Sequence, residues 1–204
     1  MSAHNSKLSA SSSITEFTIL KAFNVSIHPP RSMLVKEVLW SPPIHSWIKG
    51  NCVGAFASGK AACGGIFRNR LGQFLGCFAE GLSYGNSLFA ELCGAMRSIE
   101  FAQSKSWNNF WLETDSMLVV QAFKNSAIVP WQVRNRWNNC QIIISNMNFL
   151  ASHIYREGNS CADVLANIGL TLDTYVYYYS LPLQVRSDYV KNRLGWPSFR
   201  FNHS

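Results

Sequence analysis

Three acidic residues of this 204-residue chain lie where a sheet and its helices could bring carboxylates together. Glu91 lies one turn inside an apolar helical stretch, Asp115 ends a short strand-like segment, and Asp163 falls in the first turn of a final predicted helix. Converging carboxylates bind hard cations such as Mg²⁺. Two such ions about 4 Å apart orient a water and stabilise the leaving oxygen in phosphodiester hydrolysis. The three residues therefore suggest metal-assisted phosphodiester hydrolysis.

Each of two carboxylates also has a purely structural explanation. Asp115 lies where a strand meets a helix, so its side chain could instead cap that helix. Asp163 would be favoured by the dipole at a helix N-terminus without any further role. Glu91 is followed at helical spacing by the small residues Gly94 and Ser98, which would let this face of the helix approach the sheet. We expect that approach to bring the Glu91 carboxylate to a strand edge.

The elements that must position these side chains follow from hydrophobic periodicity. Residues 47–56, 61–68 and 73–82 have strand composition, and "NRLG" between the last two is a turn of hairpin length. The period then changes to 3.6 in "SLFAELCGAMRSIEFAQSK", which predicts a helix capped by Asn86 or Ser87. "NFWLETDS" returns to a strand, and two helices, a strand and a helix follow. The predicted order is βββαβααβα.

The two ends of the chain have a different composition. Residues 1–13 are Ser-rich and are expected to be disordered, and the prolines of "HPP" and "SPP" favour extended backbone. After residue 170 the aromatic segments have no clean period and suit a tail packed on the domain or on a lost neighbour. We divide the chain into a flexible leader (1–33), a domain (34–170) and an aromatic tail (171–204).

Composition narrows the class of protein. With 48% hydrophobic residues the chain can fold, and its net charge of +7 favours an anionic partner such as nucleic acid. Six scattered cysteines without a C-x-x-C pair are expected to be reduced core residues of an intracellular protein, in the nucleus or cytoplasm. Without a signal-peptide core or a long apolar run, we expect neither secretion nor a membrane span. We expect a monomer.

Several segments together carry a family resemblance: "WIKGNCVGAF", "CGGIFRNRLGQFLGCFAEGL", "FAELCGAMRSIEFA", "WLETDSMLVVQAFKN" and "HIYREGNSCADVLANIG". Over residues 34–170 the chain resembles the type 1 ribonuclease H domain, in the form found at the C-terminal end of plant non-LTR retroelement polyproteins. The resemblance implies an α/β ribonuclease H-like fold. Its mixed five-stranded sheet would contain three antiparallel strands, then parallel additions, flanked by helices.

The resemblance also implies an activity and its residues. The family cleaves the RNA strand of an RNA–DNA hybrid with two Mg²⁺ ions held by an Asp, a Glu and two further Asp residues. By motif, Glu91 of "AEL", Asp115 of "TDS" and Asp163 of "CAD" match the second, third and fourth. Val53 of "NCVGA" stands where the family has the first Asp. Because a valine side chain cannot coordinate a metal, we expect the activity to be impaired.

The remaining candidates concern binding of the nucleic acid. Lys60, Arg134 and Arg136 are the predicted phosphate-contacting cations. Trp137 could join them, but we favour a position in the core for it, with a solvated arginine beside it. His153 could match a catalytic loop histidine of the family, although a position in the last strand fits it better. The alternatives to an enzyme are a non-catalytic nucleic-acid binder and a protein-interaction remnant of a retroelement.

Overall fold

The computed structural model describes residues 14–23 and 33–203, so the predicted disorder of residues 1–13 lies outside the described residues. The chain divides into two compact units, residues 37–198 and the two chain ends, 1–36 with 199–204. The helices and strands are α1 (Ile14–Ala22), β1 (Met33–Val38), β2 (Ile48–Ala57), β3 (Lys60–Arg68), β4 (Phe74–Leu82), α2 (Ser87–Ser104), β5 (Asn109–Thr114), α3 (Met117–Lys124), α4 (Trp131–Ser145), β6 (Asn148–His153), α5 (Ser160–Gly169), β7 (Tyr175–Tyr178), α6 (Arg186–Arg193) and β8 (Ser198–His203).

The central sheet has six strands in the order β6-β5-β2-β3-β4-β7. Strands β2, β3 and β4 are antiparallel neighbours, whereas β5 pairs in parallel with β2, and β6 in parallel with β5. This confirms the predicted mixed α/β sheet, and from β2 to α5 the order is the predicted βββαβααβα. The sixth strand, β7, comes from the segment assigned to the tail and pairs antiparallel with β4. A separate two-stranded sheet joins β1 and β8.

Two glycines let helices approach opposite faces of the sheet. A Cβ atom on Gly54 of β2 would lie 2.1 Å from the backbone nitrogen of Glu91 in α2. A Cβ atom on Gly64 of β3 would lie 2.4 Å from the backbone nitrogen of Ala166 in α5. Gly64 is the register partner of Val53, which faces opposite to Gly54 because successive residues of a strand alternate. Helix α2 therefore covers one face and α5 the other.

The face under α2 carries the main hydrophobic core. Three apolar residues at helical spacing in α2 are fully buried there: Leu92, Met96 and Ile99. Trp137 of α4 is also fully buried, and its indole Nε1 donates to Ser126 Oγ at 3.2 Å. This confirms the core interpretation of Trp137. All six cysteines are buried with free thiols.

The face under α5 carries polar side chains as well. Asn51 of β2 donates through Nδ2 to Glu113 Oε2 (2.9 Å), while Lys49 Nζ donates to Glu113 Oε1 (3.0 Å). Asn51 Oδ1 accepts from Trp40 Nε1 (2.9 Å) and from Arg68 Nη2 (2.7 Å). Asn192 of α6 joins them by accepting from Arg68 Nη1 at 2.9 Å. We call this group of side chains, each less than one-tenth exposed, the buried polar cluster: Trp40, Lys49, Asn51, Arg68, Glu113 and Asn192.

Within the described ranges, 14–23 and 33–203, no helix has the length and apolar character that crossing a bilayer requires.

Candidate functional site

A cavity of about 330 Å³ lies beside the C-terminal half of β2 and brings the three predicted carboxylates together. Glu91, Asp115 and Asp163 all line it, and Val53 lines it beside them. Arg156, which the sequence analysis did not single out, lines it as well. We call this space the carboxylate cavity. A helix, a strand end and a helix N-terminus each contribute one acidic side chain, as the motif spacing predicts.

Glu91 reaches the cavity because α2 begins at a well-formed cap and packs directly on β2. Asn86 Oδ1 accepts the backbone N–H of Phe89 at 2.9 Å, which confirms Asn86 as the cap. The Glu91 Oε2 atom is buried and has no hydrogen-bond partner among the described residues. Burial, followed by the nearby Asp115 carboxylate, raises the pKa of Glu91 to about 8, against an opposing hydrogen bond from the Gly54 backbone.

Asp115 follows β5 directly, and its side chain faces the cavity rather than the next helix. The side chain that caps α3 is Ser116, whose Oγ accepts the backbone N–H of Val119 at 3.4 Å. Asp115 Oδ1 instead accepts from Asn159 Nδ2 at 3.3 Å. Burial raises the pKa of the Asp115 carboxyl, while its backbone N–H and Asn159 act in the opposite direction. The capping explanation of Asp115 is therefore wrong.

Asp163 lies in the first turn of α5 and has both carboxylate oxygens occupied. Arg156 donates to Oδ1 through Nε (3.0 Å) and through Nη2 (2.5 Å). Asn167, one turn further along the helix, donates through Nδ2 to Oδ2 at 3.2 Å. Asp163 is thus held by a guanidinium and an amide, and it is the carboxylate of the cavity with the most complete set of partners.

Val53 lines the carboxylate cavity on the face of β2 that α5 covers. Its side chain is 3% exposed and packs against Ala162 and Ala166 of α5. The neighbouring Cys52 carbonyl accepts from Asn159 Nδ2 at 3.1 Å, so one amide ties β2 to Asp115. An apolar contact between strand and helix therefore lies where the resemblance predicts a metal ligand.

The side chains present do not fit a two-ion magnesium site. Across residues 14–23 and 33–203, no group of three His, Cys, Asp or Glu side chains has the geometry to hold a metal ion. Val53 supplies no ligand atom, and the Asp163 oxygens are already taken by Arg156 and Asn167. Among the described residues that line the cavity, Glu91 has a buried carboxylate oxygen, Oε2, without a hydrogen-bond partner.

The three cations predicted to bind nucleic acid lie elsewhere among the described residues. Lys60 begins β3 and lines a neighbouring cavity with Gly81 to Ser83. Arg134 donates through Nη2 to the Val129 carbonyl at 2.5 Å, and Arg136 forms a two-point ion pair with Glu100, both contacts at 2.7 Å. His153 ends β6, as the strand interpretation expects. Their roles in binding stay predictions.

Asn159 and Arg156 were missed because neither obeys a hydrophobic period. Both belong to the short turn between β6 and α5, within the quoted motif "HIYREGNSCAD". Arg156 precedes Asp163 by seven residues, and Asn159 immediately precedes the helix. A cation and an amide placed just before an acidic first turn were the available signal.

Solved structures define the class of protein to which this fold belongs. A ribonuclease H1 from Halobacterium salinarum superposes with a TM-score of 0.56 at 19% identity, covering 61% of this chain and 98% of that one. The N-terminal ribonuclease H domain of a Mycobacterium tuberculosis protein gives 0.56 at 18% identity, covering 61% and 94%. LC11 ribonuclease H1, solved with an RNA/DNA hybrid, gives 0.54 at 19%, covering 61% and 96%. The fold is that of ribonuclease H.

Sequence comparison gives the family. The family model described as reverse transcriptase-like matches residues 50–169, so this chain belongs to the reverse transcriptase-like family, as a ribonuclease H-like domain of retroelement origin. A protein of Arabidopsis thaliana, provisionally named as a ribonuclease H protein, is 29% identical over 161 residues. The match covers 77% of this chain and 26% of the relative, so the chain spans about a quarter of that relative's length.

Proposed function

We propose that this domain binds nucleic acid, with an RNA–DNA hybrid as its ligand, and that it hydrolyses the RNA strand poorly or not at all. The carboxylate cavity carries the proposal, because three acidic residues that match the family motifs meet there while Val53, in the place of the first Asp, packs on Ala162. The domain would therefore bind the family's substrate without cleaving it efficiently.

Hydrolysis is the part of the family activity that this cavity supports least. In the family, Mg²⁺ would activate the attacking water and stabilise the leaving oxygen. Here Val53 offers no ligand atom, and Arg156 already donates a hydrogen bond to Asp163 Oδ1. A loss of about 4 kcal/mol of transition-state stabilisation lowers a rate roughly a thousandfold. We therefore expect at most a trace of magnesium-dependent cleavage.

Binding has independent support from charge and from a structural neighbour. The chain carries 18 Lys and Arg residues against 11 Asp and Glu, which favours a polyanion. LC11 ribonuclease H1, which shares the fold, has been solved in complex with an RNA/DNA hybrid. A hybrid offers phosphates on both strands and 2′-hydroxyls on one, and these contacts are independent of base sequence.

Cleavage of a labelled hybrid in Mg²⁺ tests the proposal with three proteins: the natural chain, Val53→Asp, and Val53→Asp combined with Asp115→Asn. We expect little or no cleavage by the natural chain, and any activity gained by Val53→Asp should be lost with Asp115→Asn. Robust cleavage by the natural chain that is comparable in Val53→Asp and abolished when Asp115→Asn is added would refute the impaired-hydrolase proposal.

A second candidate, a protein-interaction role, is favoured by one observation. Large apolar or aromatic side chains of the C-terminal region remain exposed, among them Tyr179 at 85%, Leu183 at 73% and Trp196 at 59%. Equilibrium binding of a labelled hybrid at increasing salt separates the two roles. Affinity that falls steeply with salt supports the nucleic-acid role, whereas failure to bind at any salt concentration leaves the protein-interaction role.

A further inference from the structure

One stripe of side chains fixes helix α6 on the domain. Val185, directly before the helix, is fully buried in an apolar cluster. The Tyr189 hydroxyl accepts the Phe74 N–H at 3.0 Å and donates to the Gly72 carbonyl at 2.9 Å. Asn192 belongs to the buried polar cluster. Because Val185, Tyr189 and Asn192 are spaced by four and three residues, they share one face of the helix, and that face is docked.

A second stripe of α6 is exposed and positively charged. Arg186, Val190 and Arg193 are also spaced by four and three residues, and all three are exposed. Within the described part of the chain, neither arginine forms an ion pair or a hydrogen bond. The only acidic residue of the helix, Asp188, pairs with Lys191 at 3.7 Å. The two guanidinium groups are therefore available to an anion from outside the domain.

The end of α6 holds an exposed tryptophan in a defined position. Gly195 has a φ of +67°, and its N–H donates to the Asn192 carbonyl at 3.1 Å. The Trp196 N–H donates to the Lys191 carbonyl at 3.0 Å. This pair of bonds is a Schellman motif, which ends a helix on a residue in the left-handed conformation. The backbone of Trp196 is thus fixed, while its side chain is more than half exposed.

The turn between β3 and β4 continues the same surface. A Cβ atom on Gly72 would lie 3.5 Å from Arg193 Cγ, so the turn touches α6. Asn69 Oδ1 accepts the Leu71 N–H at 2.9 Å, which fixes the turn, and the side chains of Arg70 and Leu71 are exposed. We call the exposed side chains of this turn and of the end of the helix the α6 surface: Arg70, Leu71, Val190, Arg193, Leu194 and Trp196.

The composition of the α6 surface indicates the chemistry of a partner. Its four apolar members are each at least half exposed, and its two charged members are arginines. Contiguous exposed apolar area marks interaction sites, and Trp and Arg are enriched where proteins bind proteins. A nucleic-acid strand would offer phosphates to the arginines but little apolar surface to Leu71, Val190 and Leu194. An acidic protein segment with apolar side chains matches both.

We infer that the α6 surface docks an acidic segment of a partner protein. Carboxylates of this segment pair with Arg70 and Arg193, and its apolar side chains pack on Leu194 and Trp196. Because the docked face of α6 and the Schellman motif already hold these residues in place, little conformational freedom is lost when the partner binds.

The inference goes beyond hybrid binding and does not rest on it. Strand β3 begins at Lys60, the register partner of Ala57 in the wall of the carboxylate cavity, and ends at Arg68 beside the turn. At about 3.3 Å per residue the strand separates the two surfaces by about 27 Å. A hybrid in the carboxylate cavity and a partner on the α6 surface can therefore bind together.

A random peptide library displayed on phage and selected on the natural chain tests the chemistry of the partner. We expect the enriched peptides to be rich in Asp and Glu, with Leu, Phe or Trp between them. Enrichment of basic or uncharged peptides, or no enrichment at all, would overturn the inference.

Fluorescence anisotropy with a labelled enriched peptide tests the place of binding. Trp196→Ala should lower affinity about tenfold and Arg193→Gln about fivefold, because buried Trp and Arg side chains contribute most at protein interfaces. The matched controls are Trp131→Ala and Lys124→Gln, which change exposed side chains of α4 and α3 and should stay within about twofold. Equal losses in Trp196→Ala and Trp131→Ala would place the peptide elsewhere and overturn the inference.

Other occupants of the α6 surface give different results. Self-association of the natural chain in sedimentation that Trp196→Ala abolishes would make a second copy the occupant, and the inference would be wrong. It would also be wrong if Trp196→Ala weakened binding of a single-stranded oligonucleotide but not of the peptide. Affinity for the RNA–DNA hybrid should stay within about twofold in Trp196→Ala, so failure of hybrid binding and failure of this inference are separate outcomes.

Discussion

Asn51 and Val53 are two residues apart on the same face of β2, yet their surroundings are opposite in kind. Asn51 is completely buried in the buried polar cluster, where its amide donates to Glu113 and accepts from Trp40 and Arg68. Val53 packs against Ala162 at the edge of the carboxylate cavity, where Glu91 Oε2 lacks a partner. Both positions are buried, but the polar residue lies in the hydrogen-bonded interior and the apolar residue lines the cavity where the predicted carboxylates meet.

The difference shows that a polar side chain is retained inside the protein where its own polar atoms have partners, as both ends of the Asn51 amide do. Lys49 and Asn51 each bond one oxygen of Glu113, and Lys49 also donates to the Ser41 carbonyl at 2.7 Å. Burial lowers the pKa of Lys49, and it lowers that of Arg68 to about 10, so Arg68 stays protonated at neutral pH. The buried polar cluster joins residues from Trp40 to Asn192. Among the described residues, each site retains a buried atom without a hydrogen-bond partner, Arg68 Nε in the buried polar cluster and Glu91 Oε2 in the carboxylate cavity.

Removal of the central carboxylate should have the largest effect. Glu113→Ala leaves two buried cations without their anion, and breaking a buried pair in this way costs about 3–5 kcal/mol. That is a large share of the stability of an ordinary domain. Urea unfolding followed by tryptophan fluorescence measures it, with Glu37→Ala as an exposed control in β1. A loss no greater than in the control would show that the buried polar cluster is not a structural unit.

A new carboxylate in the apolar position should cost nearly as much. Val53→Asp removes the contact with Ala162 and buries a charge near three other carboxylates, so we expect a loss of about 3 kcal/mol in the free energy of unfolding. Val53→Thr, which keeps the shape of the side chain and adds only a hydroxyl, is the control and should lose less. If Val53→Asp equals the natural chain in stability, the cavity accepts a fourth carboxylate freely and the comparison with Asn51 fails.

The far end of the buried polar cluster provides a smaller test. Asn192→Ala removes the acceptor of Arg68 Nη1 and leaves a buried donor, which should cost about 1–2 kcal/mol. Lys191→Ala on the same helix changes an exposed side chain and serves as the matched control. Thermal unfolding by circular dichroism gives both values. Equal transition temperatures would mean that α6 does not contribute to the buried polar cluster.

The Arg156–Asp163 pair should contribute least to stability. Arg156 is well exposed, and exposed ion pairs contribute about 0–1 kcal/mol. Arg156→Gln should therefore unfold within about 1 kcal/mol of the natural chain. Urea unfolding of this variant beside Arg70→Gln, which changes an exposed arginine in the turn between β3 and β4, measures the difference. A larger loss in the free energy of unfolding would mean that Arg156, like Asn51, contributes mainly to the stability of the fold.

Regular elements were predictable because the period of the sequence changes at their ends. The predicted bounds of β2, β3 and β4 agree with the structure to within one residue at each end. Glu91 could be placed because the small residue Gly94 predicts close packing, and a Cβ atom there would lie 3.2 Å from the Val53 carbonyl.

Features set by tertiary contacts were not predictable in the same way. The strand β7 has four half-buried residues in a row, so alternation gave no signal. Lys49 and Arg68 are charged residues in strands, where solvent exposure is the usual expectation. They are buried because Glu113 accepts from Lys49 and Asn51 accepts from Arg68 in the assembled sheet. Arg156 depends on a turn that brings it back to Asp163.

The pairing of β7 with β4 has a practical consequence for work with fragments. Residues 175–178 cover the outer edge of β4, which would otherwise present free N–H and C=O groups along its length. Such an open edge is a template for pairing between molecules. A fragment that stops at residue 170, where the family-like motifs end, would therefore be prone to aggregate, and loss of binding in such a fragment would say little about the carboxylate cavity.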